Sequence, residues 1–152
     1  MLDSGNALFQ VPGQKDDASL RRAELILSTM GQLGTIAMAV GQRDLNWGHR
    51  ALKANAEKAK VKVLSANLLG DDGKPLFPAS TIAHTEIASI GVIGVSPVGV
   101  SPTVPGVRGE PVVPAVLAEA KRLKGKVDAL VVLAAIPYAD ALASSRRPRS
   151  AG

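Results

Sequence analysis

The feature that most constrains this chain is an alternation between segments with apolar residues at helical spacing and short, almost wholly apolar runs that stop at glycine. From Asp16 to Met30, Leu20, Ala23, Leu27 and Met30 follow a helical period, with Asp16 or Asp17 as N-cap and Gly31 and Gly34 as stops. "TIAMAV" (35–40) is too brief for a helix and ends at Gly41, so it reads as a buried strand. A second helix is predicted from Asp44 to Lys60, capped by Asp44 or Asn46. "VKVLSANL" (61–68) then reads as a strand. "DDG" (71–73) turns the chain into "KPLFPASTIAHTEI", whose alternation predicts a half-exposed hairpin, and "ASIGVIGVS" (88–96) is another buried run.

Residues 95–114 carry a tandem "GVSPVGVSP" and five prolines, too many for a ladder or a helix, and read as a surface loop. "AVLAEAKRLKGK" is a helix closed near Gly125, and "VDALVVLAA" (127–135) is the last strand. This order predicts an α/β fold of layers with partly antiparallel strands. After Tyr138 the pattern decays, and 145–152 read as a disordered basic tail. "MLDSGNALF" opens abruptly on what looks like the end of a strand, so the domain, 1–144, is expected to be incomplete at both ends.

A chain of 152 residues, 46% apolar and 20% charged, can bury one core, which leaves no room for a second domain. The absence of cysteine excludes disulfides, thiolate metal sites and a cysteine nucleophile. The net charge of +5 is dispersed over Lys53, Lys58, Lys60 and Lys62, over Lys121, Arg122, Lys124 and Lys126, and over Arg146, Arg147 and Arg149. These read as solvated faces and helix ends. One Trp, one Tyr and two Phe supply no stacking platform, which argues against nucleic acid as a partner and leaves small phosphorylated ligands open. No run approaches the roughly eighteen apolar residues of a membrane span, and Met1, Leu2 and Asp3 do not begin a secretion signal.

"DSGN", "VGQRDLNWG", "VLSANLLGDDGKPLFPAS", "IGVIGVS" and "VDALVVLAAIPYAD" together resemble, in order and spacing, the calcineurin-like metallophosphoesterase domain of bacterial 5′-nucleotidases. The resemblance spans residues 1–144. It implies a layered sandwich of mixed sheets flanked by helices, and hydrolysis of phosphate esters, nucleotides among them. It further implies two divalent ions, usually Mn, Zn, Fe or Ca, that polarise the phosphoryl group and generate hydroxide. Relatives of this kind are commonly periplasmic or exported.

The family pattern runs through Asp-x-His, Gly-Asp, Gly-Asn-His-Glu or Asp, a strand-tip His, and Gly-x-His-x-His. Its first and last motifs fall outside this chain. Gly5 and Asn6 match Gly-Asp, with a neutral amide where a bridging carboxylate is expected. Gly41, Gln42, Arg43 and Asp44 match the next motif. The resemblance therefore points to Asn6 and Gln42 as the metal-ligand positions and to Arg43 as the position of the catalytic His. A permanently charged guanidinium cannot shuttle a proton, but it can fork onto phosphate oxygens and so bind substrate. The strand-tip His position falls on Ala135.

Each residue also has a plainer reading. Asn6 suits a left-handed turn. Gln42 and Arg43 can sit on a solvent-facing turn, with Arg43 pairing to Asp44 or Asp3, and Asp44 reads as a helix N-cap. Trp47 reads as packing, and His49 and His84 as ordinary histidines. The glycines of "IGVIGVS" lack dinucleotide-fingerprint spacing, and Ser96 and Ser101 lack a nucleophile-elbow setting. Two functions stay open: an impaired phosphoesterase, or a non-catalytic module serving a protein partner or missing flanking segments.

Overall fold

A computed structural model of the chain describes residues 1–100 and 104–145. The expected basic tail beyond Ser145, and Ser101, lie outside these residues. The elements in chain order are β1 (Leu2–Asp3), α1 (Asp17–Gln32), β2 (Ala37–Ala39), α2 (His49–Ala59), β3 (Lys62–Leu64), β4 (Leu68–Leu69), β5 (Ser80–His84), β6 (Ser89–Val95), β7 (Arg108–Gly109), α3 (Val112–Leu123), β8 (Ala129–Ala134) and α4 (Tyr138–Ser145).

Two three-stranded sheets stack face to face. The first is wholly parallel in the order β1-β2-β3. The second runs β5-β6-β8, with β6 antiparallel to β5 and parallel to β8. Strand alternation sorts the side chains into layers. Ala37, Ala39 and Leu64 of the first sheet meet Val92 and Leu133 of the second in one buried cluster. Met38, Val40 and Val63 turn the other way and pack with Ala23, Leu27 and Met30 of α1 and Leu52 and Ala56 of α2. Ile93 and Val95 face Leu123 of α3. The result is a helix, sheet, sheet, helix sandwich, and strands buried on both faces explain runs such as "TIAMAV". The sheets approach so closely that a Cβ on Gly94 would stand 2.5 Å from Leu64 Cβ.

Local chemistry accounts for most boundaries. Asp16 Oδ1 accepts from Ser19 N at 2.9 Å, which caps α1 as expected. The predicted helix 44–60 is in fact two pieces, a 3₁₀ turn over Arg43–Trp47 and then α2, because Gly48 between them adopts φ +79°. The half-exposed hairpin forms between β5 and the following run, β6, across a turn at Thr85–Ala88. The proline-rich stretch is more structured than a loop: Arg108–Gly109 pairs with β4, and α3 begins at Val112, directly after Pro111. The chain also continues as α4 where the apolar pattern decays.

Candidate functional site

The parallel strands deliver their C-terminal ends to one edge of the sandwich, the place where open α/β sheets carry ligand sites. Gly5 and Asn6 follow β1, Val40 to Arg43 follow β2, Ser65 to Asn67 follow β3, Ser96 and Pro97 follow β6, and Ala135 follows β8. Buried polar ties hold these tips together. Ser96 Oγ donates to Val40 O at 2.5 Å and lies 2.8 Å from Ser65 Oγ. Asn67 Nδ2 donates to Ser96 O and to Glu110 O, both at 2.9 Å, while its Oδ1 accepts from Ser96 N at 2.8 Å. Every member of this network is satisfied, as burial requires.

Asp44 organises the two turns. It is fully buried, and its carboxylate accepts from the backbone N–H groups of Asn6 (2.7 Å), Gly41 (2.9 Å) and Leu8 (3.1 Å). Burial pushes its pKa above the usual carboxylate range, and the three amide donors oppose that rise. It lies inside the 3₁₀ turn and staples the β1 turn to the β2 turn, so the expectation of a helix N-cap is corrected. No sequence rule for caps anticipates this, because the donors from Asn6 and Leu8 come from more than thirty residues away.

Asn6 adopts φ +61°, as its turn reading predicts, and its Oδ1 accepts from Arg43 N at 3.0 Å. The two turns touch: any Cβ on Gly41 would overlap the Asn6 side chain, and one on Gly5 would come within 2.9 Å of Ala135 Cβ. Arg43 is half-buried, and its Nη1 donates to Gln10 O at 2.6 Å, not to Asp44 or Asp3. Asn46, considered in the sequence only as a cap, clamps the same loop by accepting from Gly13 N and donating to Val11 O, both at 2.8 Å. Trp47 packs edge-on against Phe9, with ring centroids 5.6 Å apart. His49 opens α2, where burial lowers its pKa, and His84 lies 3.0 Å from Ser89 Oγ at the remote end of the β5–β6 hairpin.

Asn6, Gln42, Arg43 and Ala135 thus come together around a cleft of about 320 Å³, whose remaining walls are Pro12, Pro97, Ile136 and Pro137. The lining contains two amides and a guanidinium but no carboxylate or imidazole. Two adjacent divalent ions need charged oxygen or imidazole donors. The carboxylates at the turns are committed to backbone amides, Asp44 as described and Asp3 by accepting from Gly5 N at 2.7 Å, and the Asn6 oxygen is engaged by Arg43 N. Among the described residues, no three His, Asp or Glu side chains gather where they could hold a metal. The residues present do not fit a two-metal centre, and the Arg43 guanidinium is the charged group of the lining.

No protein-family model matches the sequence, and no curated protein matches it. Solved structures do match. A 5′-nucleotidase precursor from Thermus thermophilus superposes with a TM-score of 0.77 at 24% identity, covering 96% of this chain and 29% of that one. Haemophilus influenzae NAD nucleotidase gives 0.71 at 16% identity, over 97% of this chain and 27% of that one. The calcineurin-like phosphoesterase YfkN from Bacillus subtilis gives 0.69 at 20% identity, over 88% of this chain and 47% of that one. The chain spans between about a quarter and a half of the length of these proteins. Over that span its fold is the one found in 5′-nucleotidases and calcineurin-like phosphoesterases, a layered α/β sandwich of mixed sheets flanked by helices.

Proposed function

We propose that residues 1–144 are a nucleotidase-type phosphoesterase domain whose ancestral chemistry, metal-assisted hydrolysis of a phosphate ester such as a nucleotide, is impaired in this chain, while binding of the phosphoryl group is retained. The observation that carries this reading is the composition of the strand-tip cleft, where Arg43 stands beside Asn6 and Gln42 and no acid lines the wall. A guanidinium has five donors in a fixed fork. The bond from Nη1 to Gln10 O orients that fork and leaves further N–H groups for phosphate oxygens. Asn6 and Gln42, at the ligand positions implied by the resemblance, carry amide oxygens that could each serve one hard cation but bring no negative charge to hold two.

Calorimetric titration of the folded chain tests the proposal. AMP is expected to bind without added metal, and Arg43→Ala to weaken it by about ten- to a hundredfold, the worth of roughly 1.5–3 kcal/mol for a hydrogen bond to a charged group. Mn²⁺ is expected to produce neither stoichiometric binding nor phosphate release. Turnover with Mn²⁺ would overturn the impairment, and AMP affinity unchanged in Arg43→Ala would overturn the binding site. A second reading, a non-catalytic domain that serves a protein partner, draws support from exposed apolar side chains on α3 and β8, Leu117, Leu130 and Val132. It is the reading left if a folded chain binds neither AMP nor metal.

A further inference from the structure

The cleft at Arg43 continues beyond Ala135. It shares Gln42, Pro97, Ile136 and Pro137 with a larger hollow of about 610 Å³, a size that accommodates a small ligand. Pro97, Pro111, Pro114 and Pro137 wall the larger hollow. Val112, Val113 and Ile136 carry its apolar surface on into a third hollow of about 360 Å³ between α3 and β8. Prolines confer two properties. Their fixed φ means that the wall is already shaped before anything binds, so little ordering is needed. They also have no backbone N–H, so these four residues offer no donor to the ring nitrogens and carbonyls of a nucleobase, and the donors of the wall are confined to Gln42, the Val98–Gly99 segment and the opening turn of α3.

Charge is distributed unevenly along this trench. Arg43 lies in the strand-tip cleft, whereas prolines and valines make up most of the larger hollow's wall. Resting on the anion reading of Arg43 given above, we infer that the cleft takes a phosphate monoester of an apolar alcohol, with its phosphate at Arg43 and its body along the proline wall, in preference to a nucleoside monophosphate.

The test is titration of the full chain with inorganic phosphate, AMP and 1-naphthyl phosphate, with circular dichroism to verify folding of each variant. Naphthyl phosphate is expected to bind at least about tenfold more tightly than either of the others, from burial of its rings. Arg43→Gln is expected to weaken all three. Val113→Gln, at an exposed first-turn position of α3 that tolerates a polar side chain, is expected to lower the preference for naphthyl phosphate over inorganic phosphate by about fivefold. Arg43-dependent phosphate binding without a naphthyl preference overturns the apolar occupant and leaves the anion reading standing. Naphthyl phosphate binding that survives Arg43→Gln, or is matched by 1-naphthol, overturns the placement of the phosphate. Failure of all three probes to bind overturns both readings.

Discussion

Asp44 is the residue on which the strand-tip turns depend. Its carboxylate satisfies three backbone N–H groups from two segments, so Asp44→Ala leaves three buried or half-buried donors without a partner. A destabilisation of roughly 3–5 kcal/mol is expected, read as a lower urea midpoint, with a smaller loss for Asp44→Asn, which keeps one oxygen. The sequence placed Asp44 at a turn and made it a cap, because cap rules look only a few residues downstream. Its actual donors were invisible until the fold brought β1 beside β2. Asn6 was more legible: a left-handed turn selects asparagine for local steric reasons, and φ +61° follows. Arg43 was legible in position but not in partner, since no pattern in the sequence points to the carbonyl of Gln10.

Elements whose neighbours are close in sequence were read well, while those defined by distant partners were not. α1 carries its own cap and stop signals, and β2 and β6 announce themselves as apolar runs. The two-residue strands β4 and β7 are defined by pairing with each other, so the proline-rich segment looked like plain loop. At this scale α1 and α2 approach closely at Gly31 and Ala59, since a Cβ on Gly31 would overlap the Ala59 carbonyl. Gly31→Ala, despite its better helix propensity, is expected to destabilise the chain by about 1–3 kcal/mol by forcing the helices apart, measurable by thermal denaturation.

Beside the apolar packing of Ile82 with α3, a polar link joins α3 to β5. Glu119 is buried, accepts from Ser80 Oγ at 2.5 Å and pairs with Arg122 at 2.6 Å. The hydrogen bond from Arg122 holds its carboxyl below the ordinary 4.5. A depressed carboxyl pKa stabilises the fold above the unfolded value and is lost as pH falls through the folded one. Glu119→Gln should therefore lower stability by about 1 kcal/mol at pH 7, with the difference from the parent vanishing as pH drops below 4.5.

For the whole molecule, the layered arrangement was legible because alternating helical and apolar segments permit few other ways to bury both kinds of face. The apolar face over α3 and β8 was not, since "ALVVLA" reads as fully buried whereas Leu130 and Val132 are each 43% exposed and Leu117 is 65% exposed. Among the described residues, β8 is an edge strand. An uncharged apolar edge invites association. Leu117→Lys is expected to reduce self-association in sedimentation experiments while changing stability by no more than about 0.5 kcal/mol.

The polar ties among Val40, Ser65, Asn67 and Ser96 fasten the two sheets at the strand tips, and Lys62 Nζ, donating to Thr81 Oγ1 at 2.8 Å, adds a tie between β3 and β5. At the other end the β5–β6 turn is open to solvent, with Ile87 95% exposed. The sandwich should therefore loosen first at this hairpin turn, which lies beyond both sets of ties. Amide exchange should begin around residues 84–89 and reach Ala66 and Ser96 last, so that the mouth of the cleft keeps its shape through fluctuations that already loosen the far edge.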